Sequence, residues 1–270
     1  MAAPLRLTLM GATGRMGRAL IEGILDAPDL ELAGALTRSD DPLLGVDAGS
    51  FVGRAVLGVE FGVDIAAAVA ACDVVVDFSR PAATLAVVEA CRARNRAIVV
   101  GTTGFDSAQA ERLAAAARSI ALCQAANFSI GVNVCLGLLA LATPALGPTY
   151  DVEIVEAHHR HKVDAPSGTA LAMGRAVAAA AGTTLEAAAV YGRQGNTGER
   201  PAGKIGFAAV RGGDVVGDHT VMFLGDGERV EISHRASSRT TFAGGALRAA
   251  RWLARQPAGR YDMRDVLGLK

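Results

Sequence analysis

Three of the chain's five histidines fall in one short run, Glu156-Ala157-His158-His159-Arg160-His161-Lys162. Imidazoles, a guanidinium and an ammonium this close together make the densest cationic patch in the chain. Just beyond it, Asp164-Ala165-Pro166-Ser167-Gly168-Thr169 reads as a helix start, with Asp164 as an Asx-type cap, Pro166 in the first turn and open backbone N–H groups. Cations beside a helix N-terminus attract anions, so the run predicts a pocket for one or two carboxylates. Metal ligation by His158 and His161 is the rival. No cysteine or second carboxylate stands at a familiar zinc spacing, and no metal is expected. A solvated basic loop is the plain alternative. His219 and His234 are expected to be structural.

A second chemical signal lies near the start. Gly11-Ala12-Thr13-Gly14-Arg15-Met16-Gly17 follows an apolar strand and opens a helix. Gly11 permits a tight turn, Gly14 lets the backbone approach a pyrophosphate, and Gly17 lets the helix pack close to the sheet. The helix N-terminus then offers N–H groups and partial positive charge to phosphates. The second strand ends in Thr37-Arg38, with no carboxylate until Asp40. An acid at this point accepts from the ribose 2′-hydroxyl of NADH, whereas an arginine suits a 2′-phosphate. Arg38 therefore predicts a lean towards NADPH. Gly101-Thr102-Thr103-Gly104 and Ala125-Ala126-Asn127-Phe128 end two later strands. Their small side chains, at the carboxyl edge of a parallel sheet, suit a flat nicotinamide.

The elements that must position these residues alternate through the first half. Strands are predicted at 5–10, 30–36, 74–78, 97–100 and 120–124, and helices at 15–25, 65–71, 82–94 and 107–118. Such alternation implies a doubly wound, Rossmann-like parallel sheet covered on both faces. After about residue 130 the pattern changes. A long apolar helix over 131–146 is stopped by Pro144 to Pro148, followed by a strand at 151–157 and a helix at 169–181. A glycine-rich charged stretch covers 191–204. Strands at 205–210, 221–224 and 229–233 read as hairpin-like and antiparallel, with a last helix at 244–255. The fold class is thus α/β, with a second, smaller α+β domain built on a mixed sheet.

Composition narrows the functions. Lys plus Arg and Asp plus Glu both count 27 in 270 residues. That balance gives no general pull towards nucleic acid or an anionic membrane, and neither partner is expected. The cysteines Cys72, Cys91, Cys123 and Cys135 lie in apolar runs without C-x-x-C spacing, which fits buried thiols in a reducing compartment. The first ten residues lack a signal-peptide core, and no apolar run is long enough to span a bilayer. A cytoplasmic location is expected.

Taken together, these motifs resemble the dihydrodipicolinate reductase family. The likeness rests on the glycine loop, Val100-Gly101-Thr102-Thr103-Gly104-Phe105, the segment from Ala125 to Asn133, and above all the run from Glu156 to Ala172. Tyr191-Gly192-Arg193, Gly198-Glu199-Arg200, the segment from Phe207 to Gly213, and Ser237-Ser238-Arg239 with Phe242 extend it over nearly the whole chain. The resemblance implies NAD(P)H-dependent reduction of 4-hydroxy-tetrahydrodipicolinate in lysine and diaminopimelate biosynthesis. It implies a dinucleotide-binding domain over 1–129 and a substrate-binding and oligomerisation domain over 130–239. Residues 240–270 would return to the first domain, and the second sheet would build a homotetramer. His158 takes the proton-donor position and Lys162 the second catalytic position. His159, Gly168 and Thr169 match positions that bind the cyclic dicarboxylate. Thr37 departs from members that carry an acid there. Two rivals share the glycine loop: another two-domain dehydrogenase acting on an amino acid or sugar, and a non-catalytic NADPH sensor. Neither needs the histidine run before a helix start.

Overall fold

A computed structural model describes residues 3–238 and 240–269. Arg239, the end of the Ser237-Ser238-Arg239 motif, lies outside the described residues. The chain forms two compact units, Met1–Ile130 with Arg239–Lys270, and Gly131–Ser238.

In chain order the first unit contains β1 (Leu5–Met10), α1 (Arg15–Leu25), β2 (Leu30–Leu36), α2 (Ala48–Phe51), β3 (Phe61–Gly62) and α3 (Ile65–Ala71). β4 (Val74–Asp77), α4 (Pro81–Arg94), β5 (Ala97–Val100), α5 (Ser107–Ala116) and β6 (Ala121–Gln124) follow. Helix α6 (Ile130–Leu146) leads into the second unit. That unit holds β7 (Asp151–His158), α7 (Gly168–Ala180), α8 (Leu185–Ala188), β8 (Ala189–Tyr191), β9 (Ile205–Arg211), β10 (Gly217–Leu224) and β11 (Arg229–Ala236). The chain ends with α9 (Thr240–Leu253), β12 (Gly259–Tyr261) and α10 (Met263–Leu267), which belong to the first unit.

The first sheet is parallel, in the order β12-β6-β5-β4-β1-β2-β3. Its strands are apolar on both faces because helices cover both. Successive side chains point to opposite faces. In β4, Val74 and Val76 join one core with Leu20, Ile21 and Ile24 of α1 and Leu247 and Leu253 of α9. Val75 points the other way, into a core with Val69 of α3, Leu85 and Val88 of α4 and Leu113 of α5. The strand order reverses between β1 and β4, the place where open α/β sheets leave a crevice at their carboxyl ends.

The second sheet runs β11-β10-β7-β9-β8. β10 pairs antiparallel with β7 and β11, but β9 pairs parallel with β7 and with β8. The hairpin reading of 205–210 is therefore corrected. The tight turn at Gly225-Asp226-Gly227, closed by Gly225 N–H donating to the Glu228 carbonyl, does make a hairpin, between β10 and β11. β9 is reached through the charged stretch after Tyr191. Arg200 pins that stretch to β7 by bonding Asp151, Glu153 and the carbonyls of Val152 and Lys204. Along β7 burial alternates, so Val152, Ile154, Glu156 and His158 share the buried face. Val152 and Ile154 meet Leu139 of α6 and Met173 and Val177 of α7.

Helix α6 ends at Leu146 as expected, with Pro144 in its last turn, where Gly147 turns at φ +76°. Several other boundaries move, and β10 begins at Gly217 rather than at residue 221. The helix expected at 244–255 starts at Thr240 and ends at Leu253. Strand β7 runs one residue further than expected and so includes His158. Among the described residues no helix is long and apolar enough to cross a membrane. All four cysteines are buried, and none of them forms a disulfide.

Helix α9 packs so closely that a Cβ on Gly245 would lie 1.8 Å from the Phe128 carbonyl oxygen, while one on Gly244 would meet nothing within 4 Å. Gly245→Ala should cost about 1–3 kcal/mol by overpacking. Gly244→Ala should be neutral or raise stability through helix propensity. Thermal midpoints of the two variants check this; equal midpoints would contradict the packing.

Candidate active site

The glycine loop sits at the carboxyl end of β1, beside the reversal of strand order. Gly11 has φ +78°, and a Cβ there would lie 2.6 Å from the Phe78 carbonyl oxygen. A Cβ on Gly17 would lie 2.1 Å from the Ala12 carbonyl oxygen. Both positions thus require glycine. Gly14 caps α1 without any side-chain hydrogen bond, so the first-turn N–H groups around Arg15 and Met16 are not taken up by a cap. A phosphate is what such a bare N-terminus accepts best.

The other two loops named from the sequence meet this one through Phe78, a residue the sequence reading passed over. A Cβ on Gly101 would lie 2.2 Å from the Phe78 ring, and Phe128 meets that ring edge-on at 5.5 Å between centroids. Thr102 is fixed by the fully buried Asp77, which accepts from its hydroxyl at 3.0 Å and also takes the Ser79 and Thr84 hydroxyls. Burial pushes the Asp77 carboxyl up, and the three hydroxyls oppose that shift. Ala125 N–H donates to the Val100 carbonyl, and Asn127 Oδ1 accepts Ser129 N–H. Thr103 and Ala126 are exposed at the sheet edge. Arg38 is exposed and loosely paired with Asp40 at 3.5 Å. The residues present fit a dinucleotide: a bare helix N-terminus for phosphates and small residues at the strand ends.

In the second unit the organising group is Glu156, only 1 % exposed. Its Oε2 meets His158 Nδ1 at 2.6 Å, and its Oε1 accepts Ser167 N–H at 3.1 Å. Arg211 grips both oxygens, at 2.8 and 2.7 Å. Burial opposes the carboxylate's charge, but Arg211, His158 and the Ser167 amide outweigh it and hold the Glu156 carboxyl below its usual range. An ionised carboxylate only accepts hydrogen bonds. His158 Nδ1 must therefore carry the proton, and Nε2 is the nitrogen left for a ligand. Gly217 leaves that edge bare, since a Cβ there would come within 3.0 Å of Nε2.

Ser167 joins this cluster to α7. Its hydroxyl accepts Ala170 N–H and meets His219 Nε2 at 2.9 Å. The cap is Ser167, not Asp164, and Pro166 precedes the helix rather than lying in its first turn. Asp164 is engaged elsewhere: its carboxylate accepts from Lys162 at 2.8 Å and its carbonyl from Arg211. Gly168 and Thr169 follow the cap directly. Lys162 is thus tied to His158 through Asp164, Arg211 and Glu156. The His159 and His161 rings lie 6.1 Å apart in the same loop. Among the described residues no group of three or more His, Cys, Asp or Glu is arranged to hold a metal ion. His158, His159 and Lys162 were assigned roles from the sequence, whereas Glu156, Ser167 and Arg211, though within the quoted motifs, were assigned none. The one available signal was the i, i+2 spacing of Glu156 and His158 on a strand.

The dihydrodipicolinate reductase N-terminus model matches residues 5–128, and the C-terminus model matches residues 131–267. The chain belongs to the dihydrodipicolinate reductase family. A 4-hydroxy-tetrahydrodipicolinate reductase of Nitrosospira multiformis is 57% identical over 267 residues, covering 98% of each chain. One of Burkholderia ambifaria is 56% identical over 266 residues, 98% of this chain and 100% of that one. Among solved structures, a dipicolinate-bound dihydrodipicolinate reductase from Paenisporosarcina sp. TG-14 shares the fold at TM-score 0.78 and 24% identity, over 96% of this chain and 97% of that one. As a member of this reductase family the chain is an NAD(P)H-dependent oxidoreductase of the diaminopimelate and lysine route.

His219 yields a stability prediction. Burial, then the neighbouring His158, lowers its pKa from 6.5 to about 4. A base with a depressed folded pKa stabilises the fold above its unfolded value. That stability is lost as pH falls from 6.5 to about 4, because the unfolded chain takes up the proton first. The loss is on the order of 3 kcal/mol at most. Urea unfolding across this range should show a shallower acid-side decline in His219→Gln than in the wild type. Parallel declines would refute the assignment.

Proposed function

We propose that the chain reduces 4-hydroxy-tetrahydrodipicolinate to tetrahydrodipicolinate with loss of water. The carrying observation is the buried Glu156 that fixes His158 and, through Ser167, ties it to the start of α7. NAD(P)H, when bound, supplies the hydride. Gly11, Ala12, Thr13, Gly14, Arg15 and Met16 hold its pyrophosphate at α1. Gly101, Thr102, Thr103, Ala125, Ala126, Asn127 and Phe128 border its nicotinamide. Arg38, exposed and weakly paired, meets a 2′-phosphate and tilts the chain towards NADPH.

His158 supplies the proton that completes the reduction. Glu156 keeps Nδ1 protonated, so Nε2 gives up its proton and returns to a neutral acceptor without a change of tautomer. Lys162 exchanges Asp164 for a substrate carboxylate and stabilises charge built up on the ring. His159 and the α7 N–H groups of Gly168 and Thr169 receive the carboxylates. The second unit's sheet carries the contacts of a homotetramer, and the enzyme works in the cytoplasm.

His158→Gln should lower kcat by about 10²–10⁴ and leave the Kd for NADPH unchanged. Lys162→Ala should lower kcat and raise the KM for the cyclic dicarboxylate together. Steady-state kinetics with that substrate, beside cofactor titration, checks both. Wild-type turnover in His158→Gln would remove the donor role, and unaltered constants in Lys162→Ala would make the lysine a bystander.

A further inference from the structure

The sequence offers no acid at the end of β2, where Thr37 stands, and the nearest carboxylate, Asp40, faces Arg38. The structure brings one back from the next residue. Asp41 Oδ2 lies 2.6 Å from the Thr37 hydroxyl and 2.7 Å from the Thr13 hydroxyl, and the two hydroxyl oxygens are 2.9 Å apart. Asp41 Oδ1 accepts Leu43 N–H at 3.0 Å. Thr13 belongs to the glycine loop and Thr37 to the strand end, so the carboxylate is held against both walls of the place where an adenine ribose rests in this fold class.

A proton count sets what this place accepts. Three oxygens lie within hydrogen-bond reach of one another, and the two hydroxyls bring one proton each. The hydroxyls and the Leu43 amide hold the Asp41 carboxyl below its usual range, so it adds no third proton at neutral pH. If both hydroxyl protons serve the carboxylate, the contact between the two hydroxyl oxygens has none. The cluster is short of donors. A ribose hydroxyl can donate into it, whereas a 2′-phosphate brings only acceptors and a like charge.

We propose that Asp41, presented by Thr13 and Thr37, is a cofactor-selecting residue that receives the adenine-ribose 2′-hydroxyl and thereby admits NADH alongside NADPH. Arg38 and Asp41 then act in opposition from one short segment. The exposed arginine favours the phosphorylated cofactor, and the fixed carboxylate favours the unphosphorylated one. This rests on the reading that the first unit binds a nicotinamide dinucleotide.

The test is equilibrium binding of NADH and NADPH, each alone and without dicarboxylate, followed by calorimetry in the full-length protein. Asp41→Asn keeps the shape and removes the charge. It should weaken NADH about tenfold, as expected for a lost hydrogen bond to a charged group, and leave NADPH unchanged or tighter. Arg38→Ala should do the reverse. Thr13→Val, which removes one presenting hydroxyl, should shift the ratio in the same sense as Asp41→Asn by a smaller factor, and it serves if Asp41→Asn fails to fold. Equal weakening of both cofactors, or no change in their ratio, would show Asp41 to be only a turn-forming residue and overturn the proposal. A wild-type protein that binds neither cofactor would overturn the dinucleotide reading itself.

Discussion

Everything in the second unit turns on one buried negative charge. A carboxylate as enclosed as Glu156 is tolerated only when its oxygens are fully engaged. Here the partners come from three separate stretches of chain: His158 on the same strand, Ser167 at the cap of α7, and Arg211 at the end of β9. Satisfying the charge therefore fixes three things together: the orientation of an imidazole, the entry of a helix, and the pairing of a parallel strand beside β7. Removing one partner from such a cluster typically costs about 3–5 kcal/mol. That scale explains how a loop rich in cations keeps one arrangement.

The first unit solves a different problem with backbone rather than charge. Its glycines stand where a Cβ would strike a carbonyl or a ring, at Gly11, Gly17 and Gly101. The close approach leaves room for a phosphate at the start of α1 and draws Phe78 and Phe128 together beneath the strand ends. The buried Asp77 fixes Thr102 in the same region through a hydroxyl. One unit thus presents a bare helix N-terminus and backbone N–H groups, and the other presents cations and an imidazole set by a buried carboxylate. In each, the candidate site residues are held by residues outside the candidate site.

Much of this was legible from residue order. The alternation of apolar strands and helices gave β1, β2, β4, β5 and β6 almost to the residue, because strands buried on both faces leave short continuous apolar runs and helices leave a 3.6-residue period. The short elements α2, β3, α8, β8, β12 and α10 carry too few residues for any period. The parallel pairing of β9 was hidden, because direction in a sheet depends on where a connection returns, here through a stretch pinned by Arg200. Of the candidate site, His158, Lys162 and the glycine loop stood out by type and spacing. Glu156 looked like an ordinary strand residue until the alternation along β7 placed it inside. The roles of Arg211 and Asp41 were hidden, because Glu156 lies 55 residues from Arg211, and Thr13, which ties Asp41 to the glycine loop, lies 28 residues from it.

The central claim is that an ionised Glu156 fixes the proton on His158 Nδ1 and reserves Nε2 for chemistry. Side-chain ¹⁵N spectra of the histidine-labelled protein at neutral pH read this directly. The account predicts a protonated Nδ1 for His158 in the wild type, and its loss as the fixed state in Glu156→Gln. A wild-type His158 that carries its proton on Nε2 with a bare Nδ1 would contradict it.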